Sequence, residues 1–247
     1  GYAAASGERA AAVGAASKAS GTASFAGGTS ANASGLNSVA IGGSMDTAKG
    51  AQASGDYSIA QGTNSTSKQQ SDIAIGTNAA ANGTDTPAGS STAQGAGTAV
   101  AIGADSNATG VSTIALGKAA QATQNGAVAV GALANATNKA AAALGRDSLA
   151  SGESSTALGS GAKAQGQYSF AGAPDSNASG VNSVAIGAHS RANINDSVAL
   201  GAGSETSSAF VPTDNATVGS ITYSGFAGNS SALNGGAGSV VSVGKAG

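Results

Sequence analysis

The feature that most constrains this chain is a tetrapeptide that keeps returning: Val39-Ala40-Ile41-Gly42, Ile73-Ala74-Ile75-Gly76, Val100-Ala101-Ile102-Gly103, Ile114-Ala115-Leu116-Gly117, Val128-Ala129-Val130-Gly131, Ala142-Ala143-Leu144-Gly145, Val184-Ala185-Ile186-Gly187 and Val198-Ala199-Leu200-Gly201. From Gly103 onward the closing glycines are read at 117, 131, 145, 159, 172, 187 and 201, a period of 14 with slips of one residue. A fixed period marks a repeat architecture before any single residue is interpreted. A second motif sits halfway between these glycines, as in Asn107-Ala108-Thr109-Gly110, Lys163-Ala164-Gln165-Gly166 and Asn177-Ala178-Ser179-Gly180, so each 14-residue unit is two halves of seven.

Seven residues are too few for a helix and its turn. They accommodate a short strand and a tight turn whose glycine supplies positive φ without steric cost. Two strands per coil, stacked in parallel, predict an all-β solenoid of about 14-residue coils, each completing its core against its neighbours. From Gly14 to Gly201 the period accommodates about 13 coils, a rod about 60 Å long at the roughly 4.8 Å spacing of paired strands.

The two halves differ. Strand side chains alternate between faces, so in Ser183-Val184-Ala185-Ile186-Gly187 Val and Ile point one way and Ala the other, and both faces are apolar. That strand is expected to be buried on both sides. In Ala162-Lys163-Ala164-Gln165 Ala alternates with polar residues, so this strand is expected to face water. A two-strand roll cannot cover the second face of its apolar strand alone, which calls for partner chains, and cyclic symmetry would let every copy bury the same face. The repeat itself does not fix the copy number.

Composition narrows the alternatives. Of 247 residues 40 are Gly and only 3% are aromatic, so the core is expected to be built from Ala, Val, Ile and Leu. Disordered chains combine few hydrophobic residues with high charge, whereas here the net charge is −2 and the apolar clusters are evenly spaced. The ten Lys and Arg residues are scattered rather than gathered into the basic stripe that nucleic acid requires. There is no Cys, which removes disulfides and thiolate metal sites and suits a chain exported unfolded. No apolar run is long enough for a membrane span and Gly1-Tyr2-Ala3 is not a signal peptide, so the chain is expected to be a piece of a longer protein.

No catalytic, cofactor or metal site is expected. His189, the one histidine, follows Gly187-Ala188 at a coil corner and reads as a solvated turn residue. No Gly-x-Gly-x-x-Gly or Walker A motif lies between a strand and a helix, and the calcium-binding nonapeptide fails on both period and Asp. Hexapeptide acyltransferases also build solenoids, but a six-residue repeat does not fit 14. An ice-binding solenoid would need Thr in every coil, and the outward positions mix Ser, Asn, Gln, Lys and Thr. Lys118, Arg146, Asp147, Lys163 and Arg191 read as solubility and edge-protection residues.

The period is disturbed where Gly42 to Gly62 spans 20 residues and Gly76 to Gly103 spans 27, around Thr84-Asp85-Thr86-Pro87-Ala88-Gly89. Irregular insertions are therefore expected near 43–58 and 77–99. Insertions in solenoids map to loops on one face, often the binding face; a tolerated surface insertion is the simpler reading of each. Ser24–Gly43 and Ser169–Ala188 share 14 of 20 residues at an offset of 145, the trace of a block duplication. Beyond Gly201 the repeat fades, and Phe210, Pro212, Tyr223 and Phe226 cluster. The expected organisation is a repeat region over 1–207 and a capping or transition segment over 208–247.

The units Asn37-Ser38-Val39-Ala40-Ile41-Gly42 and Asn182-Ser183-Val184-Ala185-Ile186-Gly187, in register near every 14 residues, resemble the YadA-like head repeats of trimeric autotransporter adhesins. The tail Val240-Val241-Ser242-Val243-Gly244-Lys245-Ala246-Gly247 resembles the approach to the neck of such heads, and the Ser169-Phe170-Ala171-Gly172 unit departs from the pattern. The resemblance covers about Gly14 to Gly247. It implies a left-handed parallel β-roll and a side-by-side homotrimer on the surface of a Gram-negative bacterium, anchored in the outer membrane by a C-terminal region that this chain lacks. It further implies attachment to extracellular matrix proteins such as collagen, to host cells or abiotic surfaces, or to other copies, with roles in virulence and biofilm, and it brings no catalytic residues. A passive spacer within a longer fibre is the alternative on the same fold.

Overall fold

A computed structural model describes residues 1–46, 49–83, 98–206, 215–218, 221–224 and 241–243. Two parallel sheets of fourteen strands run side by side along the molecule. One contains the strands of three or four residues, from Ala11–Val13 through Val198–Leu200 to Val241–Val243; the other contains two-residue strands, from Ala4–Ala5 to Glu205–Thr206. We call them the long-strand and short-strand sheets. Up to Thr206 successive strands alternate between the two, so each coil lays one strand on each sheet and bonds to the coil above and below. This is the parallel β-solenoid that the 14-residue period requires.

The interior is narrower in chemistry than composition alone suggested. Every buried hydrophobic residue among those described is an alanine, and Ser and Thr supply nearly all the rest of the core. In Val184–Ile186 and its neighbour Val198–Leu200, Ala185 and Ala199 face inward and are fully buried, paired in register. Most of the Val, Ile and Leu residues, expected in the core, lie instead on the outer face of the long-strand sheet, where Ile186 is 40% and Leu158 48% exposed. Two sheets joined by turns of a few residues lie too close for large apolar side chains between them, so nearly every inward position holds Ala or Ser, with Thr113, Thr206 and Asp72 the largest side chains admitted. Consequently the long strands are buried on their inner side only in the single chain, whereas the short strands point Ala inward and polar residues out, as their pattern predicts.

The turns also correct one expectation. At the end of the long strands the glycines do supply positive φ, as at Gly117 (+135°), where a Cβ would in addition lie 2.5 Å from the carbonyl oxygen of Gly131 in the next coil. The halfway glycines are required for a different reason: Gly166 is not in the left-handed region, but a Cβ there would overlap the carbonyl of Gly180. The left-handed residue of that turn is Tyr168 (φ 58°), and 21 non-glycine residues among those described occupy such positions with φ between 52° and 62°. Most of these turns are closed by a serine. In Gly180-Val181-Asn182-Ser183 the Ser183 amide (3.3 Å) and its Oγ (2.7 Å) both donate to the Gly180 carbonyl; Ser38 with Gly35 and Ser155 with Gly152 repeat the Oγ bond.

The apparent slip at Gly172 is not a slip. Gly172 pairs with Leu158 on one side and Ile186 on the other, so it occupies a strand position, and Ala173 stands in the closing position above Gly159. The 14-residue register is continuous from Ala99 to Thr206. The space over Gly172 is filled by the ring of Phe170 from the same strand, and Phe25 covers Gly27 in the same way at 2.9 Å from a Cβ position. One aromatic side chain thus does the work of the Val and Ile found in other coils.

The register departs from 14 at two places. Val39 pairs with Ile59 and Asn32 with Gln52, an offset of 20 in both sheets. Ser44 still donates its amide to Thr29 as Ser30 does to Ala15, and Gly50 lies against Ser30, so the six extra residues fall between Ser44 and Ala51. Ile73 pairs with Val100 and Ala80 with Asn107, an offset of 27. Thr84–Gly89 lie outside the described residues, as do Phe210, Pro212 and Phe226. Near the C-terminus Asn215–Val218 and Ile221–Ser224 form an antiparallel hairpin, and Val241–Val243 pair in parallel with Val198–Leu200, adding the last strand of the long-strand sheet.

Candidate binding surfaces

The roll presents two broad faces of opposite character and two turn edges. Strand alternation puts two columns on the outer face of the long-strand sheet: Val39, Ile59, Ile73 and Val100 in one, Ile41, Gln61, Ile75 and Ile102 in the other. Among the described residues these columns hold Val, Ile, Leu, Ala, Phe and Gly, with Thr156 and Gln61 as the polar exceptions. Fourteen strands at about 4.8 Å make a stripe about 60 Å long and about 10 Å wide, on the order of 600 Å² of apolar surface. That reaches the upper end of the largest patch a soluble monomer ordinarily leaves uncovered.

The short-strand sheet carries the opposite chemistry. Asn107, Gln121 and Asn135 stack in register on its outer face, followed upward by Leu149, Lys163, Asn177, Arg191 and Glu205. Asn32 donates its amide to Oε1 of Gln52 (3.1 Å), and beside this pair lies a groove of about 170 Å³ lined by Ala16, Lys18, Ser30, Asn32 and Gln52. Along the turn edges polar side chains bond from coil to coil: Asn64 Nδ2 to Asn78 Oδ1 (3.0 Å), Asn78 Nδ2 to Asp105 Oδ1 (2.8 Å), and Asn182 Nδ2 to Asp196 Oδ1 (2.8 Å).

The residues singled out from sequence fall on these surfaces without converging. His189 occupies a left-handed turn position (φ 58°), is largely exposed, and has Nδ1 4.0 Å from Asp175 Oδ2. Arg146 Nε donates to the neighbouring Asp147 (2.7 Å) at an exposed turn. Lys163 and Arg191 stand on the short-strand sheet two coils apart with Asn177 between them, and Lys118 is exposed at a turn. Among the described residues no group of three or more His, Asp and Glu side chains comes together.

Two residues escaped the sequence reading. Gln61 belongs to a unit, Ile59-Ala60-Gln61-Gly62, whose glycine lies one period before Gly76; the spacing marks it, although the polar side chain disguises the motif. Asp72 stands where Ser38 and Ser183 stand in other coils, immediately before the long strand. It is fully buried, and its carboxylate accepts amides from Gln69 (2.9 Å), Gly83 (3.2 Å) and Ala99 (2.8 Å). An Asp at a Ser position was the available signal.

A stacked parallel roll with alanine inside, a glycine-closed turn on nearly every long strand and one apolar outer face defines the class: a repeat scaffold of the β-roll type. The YadA head domain repeat (2 copies) matches residues 5–31, 28–44, 53–79, 67–86, 96–120, 108–134, 136–162, 150–171 and 178–204. The two longest gaps between these segments, 45–52 and 87–95, fall where the coil register takes up its extra residues. The chain belongs to the family of YadA-like heads of trimeric autotransporter adhesins. Among solved structures, the chain is similar to the collagen-binding domain of the Yersinia adhesin YadA, with 25% sequence identity over 72% of this chain and 83% of that chain and a TM-score of 0.44. No curated protein sequence matches it.

Proposed function

We propose that this chain is the surface-exposed adhesive head of a trimeric autotransporter adhesin. Three copies pack side by side as left-handed rolls with the long-strand sheets inward, and the assembly is held off the outer membrane of a Gram-negative bacterium by a C-terminal stalk and anchor. Residues 1–207 form the head, and 208–247 cap it and lead toward a neck; the added strand Val241–Val243 supports that division. The observation that carries the assembly is the stripe from Val39 to Leu200, apolar yet uncovered on one chain while the opposite sheet is polar. A symmetric arrangement along the rod axis covers the stripe on every copy at once.

With that face inward, the short-strand sheets and turn edges of three chains point outward. They present a mostly polar column, with Asn, Gln and Lys recurring among Leu149, Arg191 and Glu205. Contacts with extracellular matrix proteins such as collagen, with host cells or abiotic surfaces, or with heads on other fibres are individually weak there and gain strength by repetition. The test is to immobilise the purified assembly and measure binding to a panel of matrix proteins and to itself. Saturable binding that falls when Lys163, Asn177 and Arg191 are replaced by Asp, with the assembly intact, supports adhesion through this face. Binding to nothing in the panel favours a spacer.

A further inference from the structure

The periodicity that builds the roll leaves the height of one copy against another poorly defined. Sliding a neighbour by one coil, about 4.8 Å, brings Val184 where Val198 stood and Ile186 where Leu200 stood, one branched residue for another. An apolar stripe of this kind rewards contact but hardly distinguishes one height from the next. Strands with repetitive faces are prone to such slippage unless something marks the register.

Gln61 is that mark. Among the described residues it is the one side chain in the two outward columns of the long-strand sheet that carries an amide or a charge. It lies between Ile41 below and Ile75 above in its own column, beside Ile59 in its own strand, and it is exposed on the single chain. Its side chain makes no hydrogen bond to a described residue, whereas its backbone carbonyl accepts the Gly76 amide in the ordinary way.

We propose that Gln61 sets the register of the side-by-side assembly: the three amides, one from each copy, meet at one height and bond to one another. The inference rests on the assembly proposed above. A carboxamide both donates and accepts, so around a three-fold axis each can donate to the next and close a ring. After a slide of one coil, each amide faces Ile41 or Ile75 of its neighbours and loses its partners in an apolar contact, the costliest fate of a buried polar group. A polar residue in an otherwise apolar seam fixes register in the same way in helical coiled coils.

The chain has no Cys, so the test uses introduced cysteines remote from the amide. Ile102 and Leu116 are one coil apart in the same column. Chains carrying Ile102→Cys and chains carrying Leu116→Cys are refolded together and oxidised, and the yield of 102-to-116 cross-links is taken relative to 102-to-102. With Gln61 present the ratio is expected to be low; with Gln61→Ile it rises about tenfold, the response to roughly 1.4 kcal/mol of lost discrimination. Moving the amide one coil, Gln61→Ile with Ile75→Gln, is expected to restore the low ratio, because all copies then carry the mark in the same new row. An intact trimer whose ratio is unchanged by Gln61→Ile overturns the inference alone. A monomer by light scattering, before any substitution at 61, overturns the assembly and the inference with it.

Discussion

The carboxylate of Asp72 accepts the main-chain amide of Ala99 at 2.8 Å, 27 residues further along the chain and one coil up. Its other oxygen accepts Gly83, so one buried side chain holds the residue at which the chain leaves the regular coil and the residue at which it returns. With Gln69 as a third donor, both carboxylate oxygens are engaged inside the roll. The thirteen-residue excess between these coils is thus tied at its base by a side chain that other coils do not need.

Asp72→Ala is therefore expected to leave three amides without their acceptor, at about 1–3 kcal/mol for each group that stays buried and unpaired. Amide hydrogen exchange should quicken first at Gly83 and Ala99, and urea unfolding should show a loss on the order of 3 kcal/mol. Asp72→Ser, which restores the residue of other coils, should recover the turn and leave Gly83 and Ala99 exchanging fast. Uniform protection of all three amides in the Ala variant would show that the carboxylate does not hold the base of the insertion.

Serines of one column should respond unequally. Ser183 donates its Oγ to Gly180, whereas the Oγ of Ser169, one coil earlier, is buried with no partner among the described residues. Ser183→Ala is expected to cost about 1 kcal/mol, and Ser169→Ala to be neutral or slightly stabilising, since it removes a buried hydroxyl that bonds to none of them. Chemical denaturation of the two variants decides it, and equal losses would contradict the difference in bonding.

The period alone was enough to specify parallel strands, two per coil, and the sidedness of each, because side-chain alternation is read directly from Val184-Ala185-Ile186 and Lys163-Ala164-Gln165. What it could not specify was any property that depends on the coil above. Gly172 looked like a closing glycine because it ends Ser169-Phe170-Ala171-Gly172; only pairing with Leu158 and Ile186 puts it inside the strand. That alanine alone supplies the hydrophobic interior escaped for a related reason. Alternation says that Ala185 and Val184 face opposite ways, but which side is the tight one follows from how closely two short-turned sheets approach. The polar surface was legible as a pattern and not as a site, since binding residues on a repetitive face carry no chemistry distinct from their neighbours.

Glycines should divide by cause. Gly166→Ala places a Cβ against the Gly180 carbonyl of the next coil, where only backbone movement can relieve it, and should destabilise by more than 2 kcal/mol, at the severe end of single substitutions. Gly126 has φ +71° but 3.7 Å of clearance to Ala140, and its position is held in other coils by residues as different as Asn182, Asp196, Ser154, Ala140 and Tyr168. Gly126→Asn is expected to change stability by less than about 1 kcal/mol, since Asn tolerates the left-handed region. Thermal melts of the pair check both directions.

The apolar stripe should separate folding from assembly. Ile186 and Leu158 project from the outer face, 40% and 48% exposed, while the interior beneath them is closed by Ala185 and Ala157 at full burial. A charge on the outer face therefore disturbs no core contact of its own chain, yet within a symmetric assembly it is repeated on every copy, close to its counterparts and removed from water. Ile186→Asp combined with Leu158→Asp is expected to turn the assembly into a monomer by light scattering while far-ultraviolet circular dichroism keeps its β signature. Lys163→Asp with Arg191→Asp, on the opposite sheet, should leave the mass unchanged. Inside the roll the order reverses: Ala129→Leu forces a large side chain between sheets whose inward positions hold almost only Ala and Ser, and should cost about 1–3 kcal/mol of stability in the single chain. If the outer charges unfold the chain and the inner leucine does not, the roll has been read inside out.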